Sequence, residues 1–220
     1  MKIEINLKII VFIILFFLLN NIDTYLIFLL FVFIHELAHL FCGILIGGKP
    51  RKLYLNPLGV SLEFYSYGKS NPLYKICFFI AGPLINLIIA VIFYFIQYDE
   101  YYKTKIIYTN LALCIFNLIP IIPLDGGKIL KEILRKFIGI DKANKFVMII
   151  SKTFLVIISF VYGIAIIEIK NIYLLLLIIY LWYLYFLEEK KYFLFERVNN
   201  CIKNISKTWK QINLIVSYIW

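Results

Sequence analysis

Ile34-His35-Glu36-Leu37-Ala38-His39-Leu40 lies inside an apolar run from about Thr24 to Ile46 and holds both of the chain's 2 histidines. A run of that length is long enough to cross a bilayer as a helix. On a helix, positions i and i+4 share a face one turn apart, so His35 and His39 can reach a single ion. Glu36 is offset around the helix, where it can meet a water held by that ion rather than the ion itself. One charged side chain at the bilayer centre costs about 2.5–3.5 kcal/mol, and three titratable groups stand here together. A bound zinc ion, with apparent affinities of about 10–16 kcal/mol in structural sites, is large enough to offset that cost. The competing reading is a pair of core histidines with a salt-bridged glutamate.

The 220 residues are 63% hydrophobic and only 16% charged, with a mean hydropathy of +0.89. That composition excludes an ordinary soluble domain and indicates a polytopic membrane protein. At about 20 residues per crossing, the chain has room for about six helices and little else. The net charge of +10 could suggest nucleic acid, but in a membrane protein excess Lys and Arg mark cytoplasmic loops and contacts with anionic lipid. No nucleic-acid partner is expected. Cys42, Cys77, Cys114 and Cys201 stand apart with no metal-knuckle or redox spacing, and read as small apolar fillers. Near the N-terminus, Lys2 and Lys8 are followed by an apolar run and then Asn20-Asn21, where a cleavage site would need small residues, so the first span is expected to be uncleaved.

The expected architecture is an all-α membrane protein with spans near 7–22, 24–46, 73–97, 105–122, 147–167 and 171–187. Residues 1–187 would form the core and 188–220 a C-terminal amphipathic tail. Basic residues crowd the connections after spans two and four and the tail, whereas the alternate connections are near neutral. By the positive-inside rule both termini are cytoplasmic, and the histidine pair lies in the middle to cytoplasmic half of its span. Between spans two and three, Val60, Leu62 and Phe64 alternate with Ser61, Glu63 and Tyr65 after the turn dipeptide Asn56-Pro57, which predicts a short strand within Leu53 to Tyr67. At membrane depth such backbone must be covered by protein or line a cavity, so it either borders the site or is an interfacial hairpin without a role. In Ala81-Gly82-Pro83-Leu84-Ile85-Asn86, the small residues allow close helix packing and Asn86 needs a polar partner; packing and catalysis both remain open. In the tail, Phe195, Val198, Ile202, Ile205, Trp209, Ile212, Val216 and Ile219 recur in alternating steps of three and four, which fits either an interfacial helix or a docking surface.

The second informative stretch is Asn117-Leu118-Ile119-Pro120-Ile121-Ile122-Pro123-Leu124-Asp125-Gly126-Gly127. Two prolines disfavour helix before them, so span four should unwind and turn at the glycines, carrying Asp125 on irregular backbone. Alone, Asp-Gly-Gly is a turn signal. Catalytic zinc takes three protein ligands plus water, however, and no histidine is left; Asp125 is the best available third ligand at the same depth. Lys128 to Phe137 then reads as a basic amphipathic helix on the cytoplasmic surface.

With these residues in place, the chain resembles the intramembrane metalloproteases of the site-2 protease family, peptidase family M50, and within it the stage IV sporulation protein FB branch. His35-Glu36-Leu37-Ala38-His39 is similar to the family's zinc helix. Asn117, Pro123 and Asp125 have the spacing of its Asn-Pro-Asp-Gly signature, and Gly82 with Asn86 is similar to a looser pattern on the third span. The resemblance implies zinc held by His35, His39 and Asp125, water activation by Glu36, and assistance at the reacting carbonyl from Asn117 or Asn86. It implies a membrane-tethered protein substrate, such as a sigma-factor precursor cut during sporulation at the forespore outer membrane, and membrane proteins that inhibit or regulate the enzyme. Ala38 stands where the family more often has glycine. No PDZ domain interrupts the spans, and the stretch after Leu187 is too short for the nucleotide-sensing CBS domain of the sporulation branch, so ATP regulation is not carried over. A zinc transporter or channel, or a non-catalytic membrane scaffold, are the rival functions; a transporter would stagger its ligands along a path.

Overall fold

The computed structural model describes residues 2–5, 22–48, 50–56, 59–64, 71–169 and 172–219. The first expected span, near 7–22, falls almost wholly outside the described residues. Six helices and three strands are seen among them. Strand β1 (Lys2–Ile5) is followed by helix α1 (Ile22–Leu45), strands β2 (Pro50–Asn56) and β3 (Gly59–Phe64), and helices α2 (Pro72–Phe95) and α3 (Glu100–Leu118). Helices α4 (Asp125–Ile138), α5 (Ile140–Ile169) and α6 (Ile172–Ile219) complete the chain.

Several helix boundaries have a local chemical cause. α1 ends where Gly47 takes φ 83°; Gly47 N donates to Ile44 O at 2.9 Å and Gly48 N to Gly43 O at 2.8 Å. That pair of bonds closes the helix with a glycine in the left-handed region. α2 opens with Pro72 in its first turn, and the Asn71 side chain accepts from Leu73 N at 3.1 Å, which satisfies a donor the helix start leaves free. α3 begins about five residues before the expected span because Asp99 caps it, accepting from Tyr101 N and Tyr102 N at 3.1 and 3.2 Å. It stops at Leu118, two residues before Pro120, which has no N–H to continue the ladder.

One expectation needs correcting. The helix expected from Lys128 starts at Asp125, takes Gly126 and Gly127 into its first turn, and buries Glu132. The glycines are there for close approach rather than for a turn. A Cβ on Gly126 would lie 2.1 Å from Leu118 O, and one on Gly127 would lie 2.5 Å from the Ile121 carbonyl carbon. The start of α4 therefore packs directly on the backbone leaving α3. Helix α6 runs unbroken for 48 residues, through the Leu187–Glu188 position that divides core from tail in the sequence. Glu188-Glu189-Lys190-Lys191 contains no helix breaker, and Lys191 bonds Glu188 at 2.5 Å one turn back, so the chain has no local reason to leave the helix.

The strands form one sheet of order β1-β2-β3, with β1 parallel to β2 and β2 antiparallel to β3. Val60 pairs with Leu55 and Leu62 with Leu53. β3 packs alongside α1 and, among the described residues, is a sheet edge. Three helices among the described residues are long and apolar enough to cross a membrane: Asp23–Leu45, Pro72–Phe95 and Ile140–Ile164. Helix α3 carries Lys103, Lys105, Asn110 and Asn117 within 19 residues, and the uncharged start of α6 gives way at Glu188.

Backbone contacts divide the chain into two units, up to Ile150 and from Ser151. In the first, Phe31, Val32 and Leu113 form a buried cluster with Ile34, Ile89 and Ile106 against it, joining α1, α2 and α3. In the second, Leu155, Leu181 and Tyr185 are buried, and Trp182 Nε1 donates to Ser159 Oγ at 2.9 Å.

Candidate metal centre

α1 presents His35 and His39 one turn apart, both about 4% exposed or less, with ring centroids 4.8 Å apart. α4 brings Asp125, the first residue of its helix, to the same point. Asp125 Oδ2 lies 3.1 Å from His35 Nε2 and 3.0 Å from His39 Nε2, and the two Nε2 atoms are 3.1 Å apart. Three ligand atoms therefore mark a nearly equilateral triangle. Zinc–nitrogen and zinc–oxygen bonds of about 2.0–2.2 Å in a tetrahedron place ligand atoms about 3.3 Å apart, close to these edges.

Three observations around the triangle fit an ion. His39 Nδ1 donates to Phe78 O at 2.7 Å, which puts the ring proton on Nδ1 and leaves the Nε2 lone pair facing the triangle. The acceptor sits on α2, four residues before Gly82. His35 Nδ1 lies 3.0 Å from the Asn86 amide nitrogen, while Asn86 Oδ1 is buried with no partner among the described residues. Turning the amide by 180° seats the oxygen on a protonated Nδ1 and frees the second Nε2 lone pair in the same way. Finally, a Cβ on Gly82 would sit 2.4 Å from His39 Nε2 and 2.5 Å from His35 Nε2. The space before both nitrogens is open only because residue 82 has no side chain. His35, His39 and Asp125 could hold a metal ion, and the donor set of two imidazoles and a carboxylate suits zinc.

Asp125 is also held from its other side. Lys128 Nζ bonds Oδ1 at 3.2 Å and lies 5.4 Å from the centre of the Phe79 ring. Burial alone would raise the Asp125 carboxyl pKa, and the Lys128 charge against Oδ1 counters it, favouring the ionised form. A carboxylate in the first turn of a helix is further favoured by the macrodipole.

Glu36 is only part-buried, unlike its histidine neighbours. Asn117 donates to Leu113 O at 3.0 Å, one turn back in α3, which commits one of its two N–H groups to its own helix. The Phe78 carbonyl, the Lys128 contact and the Gly82 clearance were not legible as site features. Only Gly82, within Ala-Gly-Pro, carried a local signal of close approach.

Fold and site together define a membrane-embedded helical protein with a buried His-His-Asp centre. Residues 24–103 and 100–161 match the sequence profile of peptidase family M50, and the chain belongs to that family. It is 33% identical over 162 residues to a zinc metalloprotease of Methanocaldococcus jannaschii, covering 69% of this chain and 45% of the relative. It is 27% identical over 128 residues to stage IV sporulation protein FB of Bacillus subtilis, covering 53% and 42%. The chain thus spans less than half the length of the curated relatives it matches. The solved site-2 protease from Methanocaldococcus jannaschii superposes with a TM-score of 0.66 at 26% identity, over 83% of this chain and 88% of that one. Family and apolar helices make this an integral membrane protein.

Proposed function

We infer that the chain is an intramembrane zinc metalloendopeptidase, and the observation that carries this is the convergence of His35, His39 and Asp125 on one triangle beside Glu36. Zinc, when bound, supplies Lewis acidity toward a carbonyl and a water acidified to a pKa of about 7. His35 and His39 hold it from one helix face, and Asp125 closes the site from α4. Glu36 takes the proton of the attacking water and passes it to the leaving peptide nitrogen. The second N–H of Asn117 is a donor for the developing oxyanion. Asn86, lying against His35 Nδ1, acts on the ring's orientation and tautomer rather than on the carbonyl. Edge strand β3, beside α1, can take an unwound substrate segment as a further strand, since a helical substrate hides its peptide bonds.

The substrate in this reading is a membrane-tethered protein precursor. The similarity to stage IV sporulation protein FB supports a pro-sigma factor processed during sporulation at the forespore outer membrane, and the distribution of Lys and Arg supports cytoplasmic termini and basic loops on anionic lipid. Membrane proteins that inhibit or present the substrate are the expected regulators. The rival transporter reading lacks ligands staggered along a path among the described residues. Co-expression with membrane-tethered precursors from the same genome tests the proposal: a shortened product should appear with the native chain and vanish with Glu36→Gln. Zinc uptake into vesicles without any cleavage would overturn it.

A further inference from the structure

Helix α4 carries Asp125, Lys128, Glu132 and Arg135 at steps of three and four, so four charges of alternating sign lie along one stripe. That stripe faces α2 at three levels. Lys75 Nζ of α2 lies 3.6 Å from Glu132 Oε1, Lys128 lies over Phe79, and Asp125 meets the histidines that Gly82 faces. Lys75 precedes Gly82 by seven residues, and Glu132 follows Asp125 by seven. The two helices are therefore antiparallel along this seam, joined by an ion pair at one end and by the metal centre two turns away at the other.

The ion pair is deeply placed, with both side chains less than a tenth exposed, and Arg135 Nη1 braces the second carboxylate oxygen at 3.3 Å. A buried ion pair is a weak source of stability, because desolvating the two charges costs about as much as their attraction returns. What it supplies is direction. An apolar contact tolerates a helix that slides by one residue, about 1.5 Å, or turns by the corresponding 100°. A buried Lys-Glu pair does not, since either movement strands two charges. Asp125 is short, and its Oδ2 needs a position good to a fraction of an ångström to complete the triangle.

We propose that Lys75 and Glu132, braced by Arg135, are positioning residues for the metal centre: their ion pair sets the rotation and register of α4 on α2 and so holds Asp125 against His35 and His39. The inference rests on the zinc reading above. The test uses the purified full chain in detergent, with zinc affinity measured by chelator competition and thermal stability measured on the chelator-stripped protein. Lys75→Met and Glu132→Gln should each weaken zinc binding by about 10–100-fold, as loss of a supporting contact does, and the double variant should be no worse than the poorer single one because the pair acts as a unit. Lys75→Arg should keep the native affinity, while Glu132→Asp, one methylene shorter, should lose it. Unchanged zinc affinity with a lower metal-free melting temperature would make the pair a stabilising clamp and overturn the proposal, as would losses that simply add. If a single variant does not fold, Glu132→Asp decides, and native affinity there overturns the proposal. A native chain that binds no zinc sinks the metal reading and this proposal with it; native binding with undisturbed variants sinks the proposal alone.

Discussion

Up to Ile150, the polar contacts around the site join residues 39, 51, 86 and 90 positions apart, from three helices to one point. From Ser151 onward, the described residues include local polar contacts, Ser159 to Leu155 O and Tyr185 to Glu189, each four residues apart, and a bond from Trp182 to Ser159 between two helices. The second pattern satisfies donors that would otherwise be bare in an apolar surrounding, and it asks nothing of the rest of the fold. The first brings two imidazoles and a carboxylate together at the cost of desolvating all three, which only a shared ligand offsets. Long-range convergence of buried polar groups therefore marks chemistry, and short-range pairing marks scaffold.

The sharpest way to break this contrast is to remove a ligand or fill its space. Asp125→Ala and Gly82→Ala should each abolish zinc retention and all cleavage, checked by metal content after gel filtration. A Gly82→Ala chain that keeps its zinc would show that the clearance before the two nitrogens is not required. Next in size is Glu36→Gln, which should retain zinc yet slow cleavage by about 10²–10⁴-fold in a single-turnover assay, the contribution of general acid–base catalysis. Asn86→Leu should lower zinc affinity by about 10–100-fold while the fold persists, because His35 loses the partner that fixes its tautomer. The smallest effect belongs to the other region. Trp182→Phe removes one hydrogen bond and should cost about 0.5–1.5 kcal/mol of stability with zinc affinity and cleavage unchanged; a shift in zinc affinity would show that the two regions are coupled.

Much of the site was written locally. The His35-Glu36-x-x-His39 spacing fixes its own geometry as soon as the segment is helical, because one turn of backbone sets the distance between the rings. Asp125 could be nominated by elimination, since zinc needs a third ligand and the histidines were spent. Its helical setting could not. Asp-Gly-Gly favours a turn in isolation, and only the packing of α4 on the backbone of Leu118 to Ile122 makes the two glycines a helix start. That Lys75 and Glu132 face one another was not legible, because nothing in their own neighbourhoods shows that they meet across 57 residues. The continuity of α6 past Leu187 was not legible either, because a change from apolar to charged composition alters the surroundings of a helix without breaking its hydrogen bonds.

The sequence alone determined the membrane class, the metal helix and the family, because hydropathy over about 20 residues and an i, i+4 ligand pair are properties of a single helix. Which carbonyl receives His39, which amide backs His35, why residue 82 must be glycine and how α4 is held in register were decided only by the tertiary structure. Each of those depends on helices separated by tens of residues meeting within about 3 Å, and side-chain desolvation, which sets the cost of every wrong pairing, exists only once they have met.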